Sequence, residues 1–279
     1  MRYTVLCDNN TLIDRYFRAE PGFSLWIEEN DARILFDTGY SDVFIGNACR
    51  MGIPLQDTDY LVLSHGHIDH TGGMSPFLHL LAENDWEGGA SRRPAVVAHP
   101  DVFSRRVRED AGDVGCDISA DVVAGRTNLT LSSAPVWLTE SCVFLGEIPR
   151  NFSFEAWKPR GKLLTREGWV DDRIPDDSAL ALLTPEGLVI VTGCSHAGIC
   201  SVIDYAMQIT GEDRIADVIG GLHLYKASPD RILETAEYLA DIAPGEVHAC
   251  HCTGLRAQVA FANFINLQET GVGLRRSVP

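Results

Sequence analysis

The sequence predicts an α/β fold in which two β-rich layers pack together and carry helices on their outer faces. Three observations predict it. Short apolar strands dominate the start of each half of the 279-residue chain, strands alternate with helices later in each half, and the two halves are alike in plan without an internal repeat. No low-complexity linker divides the chain, so residues 1–279 are expected to form a single domain.

Each element has a local reason. Arg2–Cys7, Phe23–Glu29 and Ala32–Asp37 are rich in β-branched and aromatic residues, and Glu29, Asn30 and Asp31 supply a hairpin turn between the last two. Ser41–Met51 has helical spacing and stops at Gly52. Tyr60–Leu63 reads as a buried strand, Met74–Glu83 as a helix, Ala95–Ala98 as a strand and Pro100–Glu109 as a helix. Short strands follow at Ala134–Leu138 and Cys142–Leu145. Residues 150–177, with Pro149 before them and Pro159 and Pro175 within, have no sustained period and predict an irregular loop. Regularity returns with a hairpin of Ala179–Thr184 and Leu188–Thr192. Helix Gly198–Ile209, strand Ile215–Ile219, helix Pro229–Ile242, strand Glu246–Ala249 and helix Leu255–Phe264 complete the chain.

Composition excludes several classes. A hydrophobic share of 45% is that of a globular protein, and 23 basic against 39 acidic residues give a net charge of −16. Such a charge repels nucleic acid and anionic membranes. No apolar run approaches the ~18–20 residues of a membrane helix. The first ten residues lack a signal-peptide core, which predicts a cytoplasmic protein. A chain of this length builds its core without disulfides. Cys7, Cys49, Cys116, Cys142 and Cys200 therefore read as small hydrophobes. Cys194, Cys250 and Cys252 differ, each lying within two residues of a histidine. The absence of a CxxC pair excludes a zinc ribbon or a thioredoxin-type site.

The most informative stretch is LVLSHGHIDHTGG, Leu61–Gly73. An apolar strand ends at Ser64, and His65, His67, Asp69 and His70 follow within six residues. His65 and His67, two apart in an extended segment, point the same way and can grip one ion. Gly66 between them is expected to allow a tight turn. Asp69 and His70 then face a second ion. Imidazole and carboxylate together suit zinc, manganese or iron, and two such ions ~3.5–4 Å apart form a hydrolytic clamp.

This run resembles the H-x-H-x-D-H signature of the metallo-β-lactamase superfamily, and the resemblance covers the whole chain. It implies an αββα sandwich of two mixed β-sheets with helices outside, and two divalent metal ions, zinc first. It implies that Asp37, in ILFDTG, orients a ligand of the metal loop. In LVIVTGCSHAGI, Cys194 occupies the place where the superfamily often has an aspartate bridging the metals, and His196 follows. Either could be the ligand there. His251, in CHCTG, matches the last histidine ligand. The superfamily's common fourth histidine is absent; RIPDDSALALL stands in its place, leaving Asp176 or Asp177 as nearest replacements. His223, in GGLHL, could be a ligand, a proton donor to substrate or a supporting residue. His248, His99 and His79 read as structural.

The motifs together resemble one branch, which contains the 7,8-dihydropterin-6-methyl-4-(β-D-ribofuranosyl)aminobenzene-5′-phosphate synthases and many proteins labelled metal-dependent hydrolases. The expected activity is hydrolysis of a phosphoester or related bond of a small molecule, with Asp69 or His223 handling the proton. Transfer from a dihydropterin pyrophosphate uses the same ligands, and a metal-binding sensor without turnover is the third reading. Six of the 23 basic residues fall between 150 and 173. Of these, Lys158, Arg160 and Lys162 are the expected grip on a phosphorylated substrate, with Trp157 and Phe154 near enough to stack a flat ring. Apolar residues around Val136–Leu145 suggest a homodimer face.

Overall fold

The computed structural model of the protein describes residues 1–156, 159 and 161–279. In chain order the first half contains β1 (Arg2–Cys7), β2 (Ser24–Glu29), β3 (Ala32–Phe36), α1 (Val43–Met51), β4 (Tyr60–Val62), α2 (Ile68–Thr71), α3 (Met74–Trp86), β5 (Ala95–Ala98), β6 (Arg106–Arg108), β7 (Gly112–Asp113), α4 (Ala120–Arg126) and β8 (Asn128–Leu131). The rest contains β9 (Val136–Trp137), β10 (Cys142–Phe144), β11 (Gly161–Thr165), β12 (Gly168–Asp171), β13 (Ala179–Thr184), β14 (Gly187–Thr192), α5 (Ile199–Thr210), β15 (Ile215–Gly221), α6 (Pro229–Ile242), β16 (Glu246–Cys250), α7 (Leu255–Phe261) and β17 (Arg275–Ser277).

Two large mixed sheets form the centre. One has the strand order β17-β1-β2-β3-β4-β5-β8 and the other β16-β15-β14-β13-β10-β9. Each begins with antiparallel pairs and continues with parallel ones: β3, β4, β5 and β8 run together in the first, and β14, β15 and β16 in the second. This shared plan is the likeness between the halves that the sequence predicts.

Period-two alternation assigns each face. Ile34, Phe36 and Val62 of the first sheet meet Leu180, Leu182, Val189 and Val191 of the second in a core between the sheets. Their neighbours point outwards. Leu35, Leu61 and Leu63 pack against Phe44 of α1 and Phe77 of α3, while Ala181, Leu188 and Ile190 pack against Val202 and Ile203 of α5 and Ala236 of α6. The result is the αββα sandwich. Among the described residues no helix is long and apolar enough to cross a membrane.

Three expectations change. Pro100–Glu109 is not a helix: a 3-10 turn at Pro100–Phe103 gives way to strand β6. Residues 150–177 are not irregular throughout, because β11 and β12 form a hairpin that joins β6 and β7 in a third, four-stranded sheet. The reason lies in Arg106, wholly buried on β6, whose guanidinium bonds Asp176 and lies 3.8 Å from Asp172. A helix would carry that charge away from carboxylates it meets only through tertiary contact. Within Val136–Leu145, Cys142–Leu145 is buried in the sheet and Trp137 is the exposed large apolar side chain. All eight cysteines are free, and Cys49 is exposed instead of packed.

Candidate metal centre

Loops at the carboxyl ends of the parallel strands converge at one end of the sandwich. Asp37 follows β3, the 64–70 loop follows β4, and the 193–198 loop follows β14. His223 comes after β15, and His251 and Cys252 after β16. Parallel strands direct all their carboxyl ends to one side, which explains why distant segments meet there. Asp37, Ser195, His223 and His251 all have left-handed backbone, with φ of 55°, 53°, 49° and 49°. Strained residues of this kind persist where the surroundings over-determine them.

Two glycines allow the approach. A Cβ on Gly66 would lie 2.2 Å from the carbonyl oxygen of Val102, so close packing, not a left-handed turn, requires glycine there. A Cβ on Gly193 would lie 2.1 Å from Ser64 Oγ and 2.8 Å from Asp37 Oδ2.

The supporting groups set the histidine tautomers. Asp37 is wholly buried and accepts from Ser64 N and Ser64 Oγ, each at 2.7 Å, and from His70 Nδ1 at 2.7 Å. With its proton given to Asp37, the Ser64 hydroxyl oxygen accepts from His65 Nδ1 at 2.9 Å. His251 Nδ1 donates to Asn9 Oδ1 at 2.8 Å. Nε2 of His65, His70 and His251 is therefore the unprotonated nitrogen in each neutral ring.

Each of those nitrogens faces another ring nitrogen. His65 Nε2 lies 3.2 Å from His196 Nε2 and 2.9 Å from His67 Nδ1, and His70 Nε2 lies 3.2 Å from His251 Nε2. Two ring nitrogens at such a distance need a proton or a cation between them, since their lone pairs otherwise repel. A tetrahedral zinc site with ~2.0 Å bonds has ligand–ligand edges of about 3.3 Å, so the spacing fits. Cys194 Sγ lies 3.3 Å from His70 Nε2 and belongs to both donor groups, His65–Cys194–His196 and His70–Cys194–His251. A third group joins Cys194 to His223 and Cys252. Asp69 flanks the second group, with Oδ2 3.5 Å from His251 Nε2.

Electrostatics favour the neutral ring at His65, His67 and His196 and the charged ring at His70. Burial lowers His65 and His196 well below the ordinary histidine pKa, with neighbouring histidines adding to the effect. Burial and the Arg106 charge push His67 down to about 4. Burial would lower His70 too, but Asp37 and Asp69 outweigh it and push it up to about 9. Burial resists ionisation of both Cys194 and Cys252; Cys252 is the thiolate of the pair, favoured by hydrogen bonding to Cys194 and by His251.

The structure thus brings together His65, His67, Asp69, His70, Cys194, His196, His223 and His251. Asp176 and Asp177 are not in the donor groups found among the described residues. Instead, Asp176 accepts from Gly66 N at 2.7 Å and Asp177 from Ala197 N at 2.8 Å, each steadying the backbone of a donor loop. Burial pushes Asp177 up to about 6. His248 is held between the sheets by Asp217 at 2.9 Å and Tyr3 at 3.4 Å.

A cleft of about 510 Å³ opens from the donors and is lined by His67, His196, His223, Cys252, Arg108, Asp172, Lys226 and Arg231 among others. Lys162 does not line it; its ammonium pairs with exposed Asp171 at 2.7 Å across the β11–β12 hairpin. Lys158, Arg160 and Trp157 lie outside the described residues. Phe154 packs on the second sheet's outer core instead of entering the cleft. Sequence reasoning singled out Cys252 by its neighbouring histidine yet left it out of the site. It missed Arg231 altogether, since a basic residue in a helix's first turn carries no local signal.

Residues 18–205 match the model of the Metallo-beta-lactamase superfamily. The chain is 31% identical over 258 residues to a 7,8-dihydropterin-6-methyl-4-(β-D-ribofuranosyl)-aminobenzene-5′-phosphate synthase of Methanocaldococcus jannaschii, covering 88% of this chain and 85% of that one. It is 29% identical over 268 residues to an uncharacterised protein of the same organism, covering 95% and 96% of the two chains. Among solved structures, a metal-dependent hydrolase of the β-lactamase superfamily aligns with a TM-score of 0.83 at 29% identity, over 100% of this chain and 99% of that one.

Proposed function

This chain belongs to the metallo-β-lactamase superfamily, and from that membership we propose that it is a metal-dependent hydrolase of a phosphoester or related bond in a small molecule. The observation that carries the reading is Cys194, shared by two donor groups of which one, through His196, borders an open cleft. His65, His67 and His196 would hold one ion and Asp69, His70 and His251 the other, with Cys194 between. Imidazole, thiolate and carboxylate together favour zinc, with manganese or iron the alternatives. Ions bound there supply Lewis acidity and a water of lowered pKa.

The chain's own residues do the rest. Asp37 holds His70 through Nδ1 and so keeps Nε2 directed at the site. The Asp69 carboxylate, one-third exposed beside His251, accepts the proton of the attacking water. His223 stands at the cleft wall with its ring 4.2 Å from that of His196, placed to protonate the leaving group.

The test is metal analysis of chelator-free protein together with turnover of bis(p-nitrophenyl) phosphate in ¹⁸O-labelled water. The expected result is two ions per chain and label in the released phosphate ester, with turnover falling at least a hundredfold in Asp69→Asn. Fully loaded protein that shows no turnover overturns hydrolysis of phosphodiesters. The identity to a synthase favours a second reading, group transfer. Under that reading a dihydropterin pyrophosphate is consumed only with an acceptor present, and the new product carries no label from water.

A further inference from the structure

The cleft walls are not chemically uniform. His67, His196, His223 and Cys252 line the side next to the donor groups, while Lys226, Ala227 and Arg231 line another wall. Of the cations there, Arg108 is already paired with Asp110 through two bonds of 3.0 and 2.7 Å. The one carboxylate of the lining, Asp172, lies 3.8 Å from Arg106. Lys226 and Arg231 differ. Among the described residues neither has an ion-pair partner within 4.0 Å, and Arg231 Nε is buried with no hydrogen-bond partner. Two negative groups act on Arg231 without a hydrogen bond to it, the Cys252 thiolate and the carboxylate of Glu155, and the latter already accepts from the backbone N–H groups of Cys200 and Ser201 at 2.8 and 3.0 Å and from Ser201 Oγ at 2.8 Å.

A half-buried guanidinium without an ion-pair partner loses hydration that no hydrogen bond to Nε replaces. Its position in the first turn of α6 compounds the cost, because the helix dipole there disfavours a cation. Both costs are offset when an anion enters the cleft. A guanidinium matches a phosphate or carboxylate in two-point geometry, and an ammonium adds a second charge. The side of Tyr225 next to Lys226, with the ammonium 5.6 Å from the ring centroid, extends the same wall.

We propose that Arg231 and Lys226 form an anion-binding subsite for a phosphate group that the substrate carries away from its reacting bond. This deepens the hydrolase reading and rests on it: the reacting bond faces the histidines while the phosphate is held at the Arg231 wall. The cleft, at about 510 Å³, has the volume of a small-molecule site. It replaces the grip expected of Lys162, whose charge is spent on Asp171.

The test uses metal-loaded protein and phenyl phosphate as probe, with affinity read by calorimetry and metal content read in parallel. Arg231→Gln is expected to weaken phenyl phosphate at least tenfold with metal content unchanged. Lys226→Gln, on an exposed side chain that cannot disturb the fold, is expected to weaken it about threefold, and Arg231→Lys to restore part of the loss. Affinity that is unchanged in both glutamine variants means the phosphate sits on the ions alone and overturns the subsite. The hydrolase reading fails separately, by absent turnover in loaded wild-type protein, whatever the two variants do to phosphate affinity.

Discussion

The carboxylate of Asp37 lies 2.7 Å from Nδ1 of His70, and both side chains are completely buried. The same carboxylate binds the backbone and hydroxyl of Ser64, so one residue at the end of β3 orders the loop that begins the donor run and the ring that ends it. Removing that acceptor frees the ring to rotate and to exchange tautomers. Asp37→Asn is expected to lower metal affinity about 10–100-fold. Competition against a chromophoric chelator, with far-ultraviolet circular dichroism as the fold control, checks it; affinity within twofold of wild type would refute the role.

The group formed by Cys194, His223 and Cys252 predicts sulfur ligation. Cobalt-substituted protein should show thiolate-to-metal charge transfer in the near ultraviolet. Cys194→Ser is expected to remove most of that band and Cys252→Ser part of it. A spectrum indifferent to both substitutions would leave only nitrogen and oxygen donors.

Metal removal should cost stability, because the facing ring nitrogens of His65 with His196 and His70 with His251 lose the cation between them. At a free-ion concentration a thousand times the dissociation constant, linkage gives about 4 kcal/mol. For a chain of this size that corresponds to roughly 8 °C in Tm. Thermal unfolding with and without chelator measures it, and coincident curves would argue against tight binding.

Arg106 and Asp176 form a wholly buried pair, and Asp176 in turn binds Gly66 N between His65 and His67. Arg106→Met leaves a buried carboxylate without its partner, a change that costs about 3–5 kcal/mol. Denaturation by urea checks the magnitude. Arg106→Met combined with Asp176→Leu should recover part of the loss, since one of the two carboxylates left uncompensated is gone and only Asp172 still lacks its partner, while metal affinity stays reduced because Gly66 N has lost its acceptor.

Glu212, on the exposed loop after α5, accepts from Arg214 Nε and Nη2 at 2.9 and 2.7 Å, and the guanidinium holds its carboxyl down at about 2. A depressed folded-state pKa contributes stability that is present above the ordinary carboxylate range and lost as pH falls through the folded value. In Arg214→Gln the Glu212 carboxyl should titrate higher by NMR, moving towards the ordinary carboxylate range but still held below it by the backbone N–H groups of Asp213 and residue 214. A titration still near 2 would assign the shift to the backbone donors instead.

The sequence by itself determined the sandwich and much of the donor run, because both are written locally. Apolar alternation along β3, β4, β13 and β14 fixes which face each side chain takes, and that requires two layers with helices outside. His65, His67, Asp69 and His70 share one strand-to-loop junction, so their convergence needs no knowledge of the rest of the chain. Tertiary structure decided the remainder. Whether Cys194 or His196 would reach the site was open from spacing alone; the turn after β14, with Ser195 in left-handed backbone, brings both to the donors. Cys252 enters only because β14, β15 and β16 are parallel and end side by side. Arg106 reads as helical until Asp172 and Asp176 arrive from the other half of the chain to receive its charge. Arg231 faces the cleft because α6 packs where it does. Such roles depend on partners far away in sequence, and a charge's meaning is set by what surrounds it after folding.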